Sequence, residues 1–289
     1  MVTLFLIAWV LAGVTGIGNI QGAPSAEPVP SPERRMFDMR SSEAWPIVQK
    51  RLGELGLIPD KTDRANQVVL TRLQEISAKG LHWLPMPRTF QTFASKKVRF
   101  LVFVSPFAEP ARVSVGSIVE ATGTKGSTNR SLVYNPSALN QALMDEITKA
   151  VGKDGVAIPD DFEQRRQLAL TLLKDDAGAC LGKTLPSTPA ALAQTRERLT
   201  PPRLIPISKI EVLYPIAAVD AQAGGVVRIE QTIFEDGGLS RISLPNPALG
   251  RQMEAAAAGP ASLRLFTPTR VGACAVPTTM TLSVNYAFR

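Results

Sequence analysis

The sequence predicts an α+β protein: two small antiparallel-sheet-plus-helix domains joined by a helical, Pro-rich connector. Three observations predict it. Stretches apolar at every second residue, such as "SKKVRFLVFVS" (95–105), alternate with stretches at three-and-four spacing, such as "SSEAWPIVQKRLGELGL" (41–57). Pro186, Pro189, Pro201, Pro202 and Pro206 punctuate the chain between two such sets. A length of 289 residues suits two modest domains, and 45% hydrophobic with 20% charged content is enough to build packed cores.

The amino end carries no Lys or Arg before Arg34, and Leu4 to Val14 is almost wholly apolar. Small residues follow, so residues 1–23 are expected to be a secretory signal peptide, cut after Gly22 or Ala23. Retained, residues 2–19 approach the roughly 18 apolar residues of an inner-membrane anchor. Either way the expected location is the periplasm. "PSAEPVPSPER" (24–34) is polar and Pro-rich, and 24–35 is read as an extended linker.

The first domain is expected over 36–155. Ser41 or Ser42 caps a helix with Pro46 in its first turn, Gly56 after it, and Trp45, Val48, Leu52 and Leu55 along one stripe. "NQVVLTRLQEI" (66–76) is strand-like. In 95–105, Val98, Phe100, Val102 and Val104 share one face, with Arg99 on the other. "ARVSVGSIVEA" (111–121) alternates again, and Pro136 opens a helix with Leu139, Leu143, Ile147 and Ala150 on its apolar side. The connector, 156–206, begins with a helix over 159–176 in which Asp160 and Glu163 form a capping box.

The last domain is expected over 207–289. "GGVVRIEQTIFEDGGLSRISL" reads as two strands around an Asp236-Gly237 turn. "NPALGRQMEAAAA" (246–258) is a helix opened by Asn246 and Pro247. In the closing strand Met280, Leu282, Val284, Tyr286 and Phe288 share one face.

Several features of this last segment, in order, resemble the TonB carboxy-terminal domain family. They are Tyr214-Pro215, Ala217-Ala218, Gly225-Val226-Val227-Arg228, Asp236-Gly237, the small-residue run Gln252–Ala258, Phe266-Thr267-Pro268 and the strand Thr281–Phe288. The resemblance implies a non-enzymatic role. The domain would bind an outer-membrane transporter or another envelope protein by strand addition, with Tyr214 and Pro215 near the docking surface. Energy transduction is the fuller role implied; an envelope structural or assembly protein is the alternative. The amino-terminal run lacks the His that family anchors carry, and the family's long spacer is short here. Residues 36–152 resemble the helix-grip domains of small envelope lipoproteins such as BamC.

Candidate chemistry is sparse. Ala177 to Thr184, "AGACLGKT", fits a loose phosphate-loop pattern. A predicted helix precedes it and Leu185-Pro186 follows, the reverse of the strand and helix that would present backbone N–H groups to phosphate, so no nucleotide is expected. Net charge is +7, but the Lys and Arg residues are scattered and aromatics make up only 6%, so no nucleic-acid surface is expected. His82 is the single histidine and reads as a loop residue. Asp160, Asp161, Asp175 and Asp176 read as solvated helix ends. No cofactor, metal or catalytic residue is expected. Cys180 and Cys274 are the only cysteines. In an exported chain they are a candidate disulfide, closing a loop of about 94 residues worth roughly 4–5 kcal/mol of chain entropy.

Overall fold

Glu33–Phe37 (β1) opens the first sheet, not residue 36. The interval read as a linker therefore ends at residue 32. Its register against the rest of the sheet explains why: alternate side chains point to opposite faces, so Arg35 reaches Asp145 (2.7 Å) and Thr148 (3.0 Å) on one side while Arg34 reaches Asp160 (2.5 Å) on the other. Two arginines in a row hide the strand from any apolar alternation. The computed structural model describes residues 30–77, 80–86, 90–91, 93–123, 130–161, 164–165, 167–168, 199–210, 212, 224–240, 242–245 and 251–287. The chain is an α+β protein, with mixed helices and antiparallel sheets.

Helix α1 (Ser41–Glu54) is capped at Arg40, not at Ser41 or Ser42. Glu43 accepts the Arg40 N–H, and the Glu109 carboxylate accepts the Ser41 N–H at 3.1 Å, placing negative charge at the helix start. The Ser41 hydroxyl instead donates to Ala108 O. Strands β2 (Pro59–Asp63), β3 (Val68–Thr71), β4 (Gln74–Glu75), β5 (Ser95–Val104), β6 (Ala111–Thr122) and β7 (Arg130–Tyr134) follow. Helix α2 (Ser137–Val151) and β8 (Val156–Ala157) complete the unit, and Val151 rather than Ala150 closes the buried stripe of α2. The sheet order is β2-β3-β5-β6-β1-β8, with β4 beside β5 and β7 beside β6.

Both helices pack on one face of this sheet, where Phe37, Val48, Leu52, Phe100, Val102, Val115, Leu143 and Ile147 form the main core. The opposite face is not polar. Leu101 and Phe103 lie beside Arg99 in sequence, yet both are buried, with Val68, Leu70 and Ile118, against Ile205, Leu263 and Leu265 of the carboxy-terminal half. The strand is apolar on both faces because each carries a layer.

That half is built from shorter pieces. Strands β9 (Leu199–Thr200), β13 (Thr269–Val271) and β14 (Cys274–Val276) form one small sheet, and β10 (Arg203–Leu204) pairs with β12 (Phe266–Thr267). Strand β11 (Gly225–Ile233) pairs with β15 (Thr278–Tyr286) through nine antiparallel positions, from Gly225↔Tyr286 to Ile233↔Thr278. Among the described residues, the expected second strand of the Asp236-Gly237 hairpin shows as isolated bridges, Glu230↔Ser243 and Ile233↔Leu239. Gly237, at φ 82°, turns where a Cβ would lie 2.3 Å from Phe266 O.

Helix α3 (Arg251–Ser262) covers the β11–β15 face through Met253, Ala257 and Ala261. Its small residues serve a close approach: a Cβ on Gly259 would stand 2.1 Å from the Tyr134 ring. Asn135, fully buried at φ 49°, joins the layers. Its Oδ1 accepts from the Ser117 N–H (3.1 Å), and its Nδ2 donates to Pro30 O (3.1 Å) and Ser262 Oγ (2.9 Å). No helix among the described residues is long and apolar enough to cross a membrane.

Candidate functional site

Two features of the described residues stand out: a free strand edge and a buried charge cluster. The edge follows from pairing parity. In an antiparallel strand each residue sends its N–H and C=O to the same side, and successive residues alternate. Glu230 exchanges bonds with Ser243 (2.8 and 3.0 Å), and Thr232 O accepts from Ser240 N, so these even positions of β11 face away from β15. Val227, Ile229, Gln231 and Ile233 therefore bond to their partners Val284, Leu282, Met280 and Thr278. The residues between, Thr279, Thr281, Ser283 and Asn285, aim their backbone groups outward. Among the described residues no strand pairs with that side of β15. α3 lies over one face, the strand end held by Tyr286 Oη donating to Met253 O (3.1 Å), and the other face is polar, with Ser283 and Asn285 exposed.

The charge cluster centres on Asp236, fully enclosed at the hairpin turn. Arg165 Nη1 lies 3.1 Å and Arg112 Nη1 3.4 Å from its Oδ2, and the Gly238 N–H donates to Oδ1 at 2.9 Å. Burial alone would push this carboxyl up; Arg165, Arg112, the Gly238 N–H and Arg34 outweigh it and hold the group well below the usual carboxylate range. Arg112 also pairs with Glu235 (3.1 Å). The Arg165 guanidinium sits 3.7 Å over the Phe234 ring. Ser105 Oγ donates to Asp236 O at 2.7 Å. The cluster thus ties β6, the segment after β8 and the hairpin of the carboxy-terminal half.

Asp236 does sit in the turn its Asp-Gly pair predicts, and the turn buries it. Asp160 was expected as a solvated helix end and half of a capping box. It instead pairs with buried Arg34, and Asp161 caps the turn, accepting the Gln164 N–H at 2.9 Å. Glu163, the other half of the expected capping box, lies outside the described residues.

No protein-family model matches this chain, and no curated protein is similar to it.

Among the sequence-derived candidates, Tyr214, Pro215 and Cys180 lie outside the described residues, as do Ala177–Thr184 and Asp175-Asp176. Cys274 is buried in β14 and disulfide-bonded. His82 is exposed in a loop, its Nδ1 3.2 Å from Gly80 O. No group of three metal-binding side chains occurs among the described residues. The site features missed were long-range ones. Arg112 and Asp236 are 124 positions apart, and no local pattern signals such a pairing.

Proposed function

We propose that the chain is a non-enzymatic cell-envelope protein, exported to the periplasm, whose carboxy-terminal unit binds an extended segment of a partner protein by strand addition along β15. The observation that carries this reading is the outward-facing backbone of Thr279, Thr281, Ser283 and Asn285, with no strand beside it among the described residues. Such an edge recruits a partner through main-chain hydrogen bonds, which tolerate sequence variation in the segment bound. The ordered likeness to the TonB carboxy-terminal domain points to an outer-membrane transporter or another envelope protein as partner, and to energy transduction if residues 2–19 remain as an anchor.

The test is a pull-down of full-length protein against extended periplasmic segments of outer-membrane transporters. Capture that survives changes of side chain but fails on backbone N-methylation of the segment is the expected result. Absence of any capture ends the docking reading. The buried Asp236 cluster supports a second reading, a static assembly protein, because it fastens the two halves to one another. A mature amino terminus near residue 23 favours that reading over transduction.

A further inference from the structure

The side of β15 that pairs with no strand among the described residues differs from the outer edge of the first sheet. That edge, β2, carries Pro59, Asp60, Lys61 and Asp63, with a register shift between Pro59 and Lys61. Proline, charge and irregularity are the means by which a sheet edge turns further strands away. β15 has none of them: it reads TTMTLSVNY and keeps an unbroken register with β11. Its two faces also differ. On the face away from α3, Thr281, Ser283 and Asn285 present small polar side chains, the last two exposed. On the α3 face Leu282 and Val284 are only partly buried, although their ladder partners Ile229 and Val227 are 0% and 4% exposed. α3 thus covers β11 fully and β15 in part. What is left is an apolar step of Leu282 and Val284, with partly buried Ala256 packed on the same cluster.

We propose that the segment taken up by β15 is amphipathic: uncharged, apolar at every second position, with its apolar side chains laid against Leu282 and Val284. The inference rests on strand addition along β15 and adds what the added segment must be. Parity carries it. An added strand bonds to the outward backbone groups of Thr281, Ser283 and Asn285, and its residues opposite these put their side chains on the polar face. The residues between them stand opposite Leu282 and Val284, on the α3 face, within cross-strand contact. The rule holds whichever way the segment runs, because side chains alternate in parallel and antiparallel strands alike. A charge set down beside Leu282 and Val284 would be desolvated with no counter-charge on β15 to offset the cost. Main-chain bonding still admits many sequences; the alternation sets how tightly each is held.

The test measures binding of full-length protein, by fluorescence anisotropy, to two labelled seven-residue peptides of identical composition, three valines and four threonines, with both ends blocked. One peptide alternates the two residues and the other groups its valines together. The alternating peptide is expected to bind about five- to tenfold more tightly, the size of two apolar cross-strand pairs. Val284→Thr, close in shape, should bring that ratio towards one, and Ser283→Pro should weaken both peptides. Equal affinity of the wild-type protein for the two peptides overturns the proposal and leaves strand addition standing. Failure of both to bind overturns strand addition and the proposal with it. A preference untouched by either variant places the binding elsewhere, and a dimer that dissociates in Ser283→Pro assigns the edge to a second copy; each overturns the proposal too. The two peptides on wild-type protein decide even if a variant does not fold.

Discussion

Asp236 concentrates more of the fold's electrostatics than any other residue described. Removing its carboxylate leaves Arg112 and Arg165 enclosed without their shared counter-charge. Asp236→Ala is expected to cost about 3–5 kcal/mol, read from urea unfolding midpoints at constant slope. The same carboxyl makes the protein acid-sensitive in a definite direction. Because its folded pKa is depressed, its contribution is complete above the unfolded value of about 3.9 and drains away as pH falls below that. Stability measured from pH 6 down to pH 2 should fall in that window, and the fall should be shallower in the alanine variant. Gln231 makes the opposite case. It is 1% exposed in β11, between Ile229 and Ile233, and neither its Oε1 nor its Nε2 has a partner. A buried amide left unpaired carries a desolvation cost of about 1–3 kcal/mol. Gln231→Leu is therefore expected to raise stability by about 1 kcal/mol or more, and a lower unfolding midpoint would count against that account.

At the scale of elements, β15 separates two kinds of backbone position that are one residue apart. Ser283 sends its N–H outward, whereas Val284 sends its N–H into the ladder with Val227. Proline removes the N–H, and sheets tolerate it only where that group faces away from the ladder. Ser283→Pro should retain a cooperative thermal transition and lose partner capture. Val284→Pro should lose the transition itself, by about 3 kcal/mol or more. Equal capture by wild type and Ser283→Pro would show that the edge is not where partners bind. The long strands β5, β6, β11 and β15 were legible as alternation, as were the apolar stripes of α1 and α2. β1 was missed because arginines occupy both its faces, each satisfied by a carboxylate from elsewhere in the fold. The return strand of the hairpin appears among the described residues only as isolated bridges, on the edge of β11 opposite β15.

For the whole molecule, the disulfide is the element still open to direct measurement. Cys274 is disulfide-bonded and the chain has two cysteines, so we propose Cys180 as its partner. Non-reducing mass measurement should find no free thiol, and reduction should lower stability by roughly 4–5 kcal/mol, less any strain released. Two free thiols in exported protein would remove the pairing. The sequence by itself determined the class of the fold and the positions of its longest helices and strands, because periodicity and composition are local properties of the chain. Only the tertiary structure decided that β5 is buried on both faces, that Asp236 gathers Arg112 and Arg165, and that one edge of β15 pairs with no strand among the described residues. Each of these depends on which distant segments meet, and burial turns such a meeting into an energy large enough to fix it.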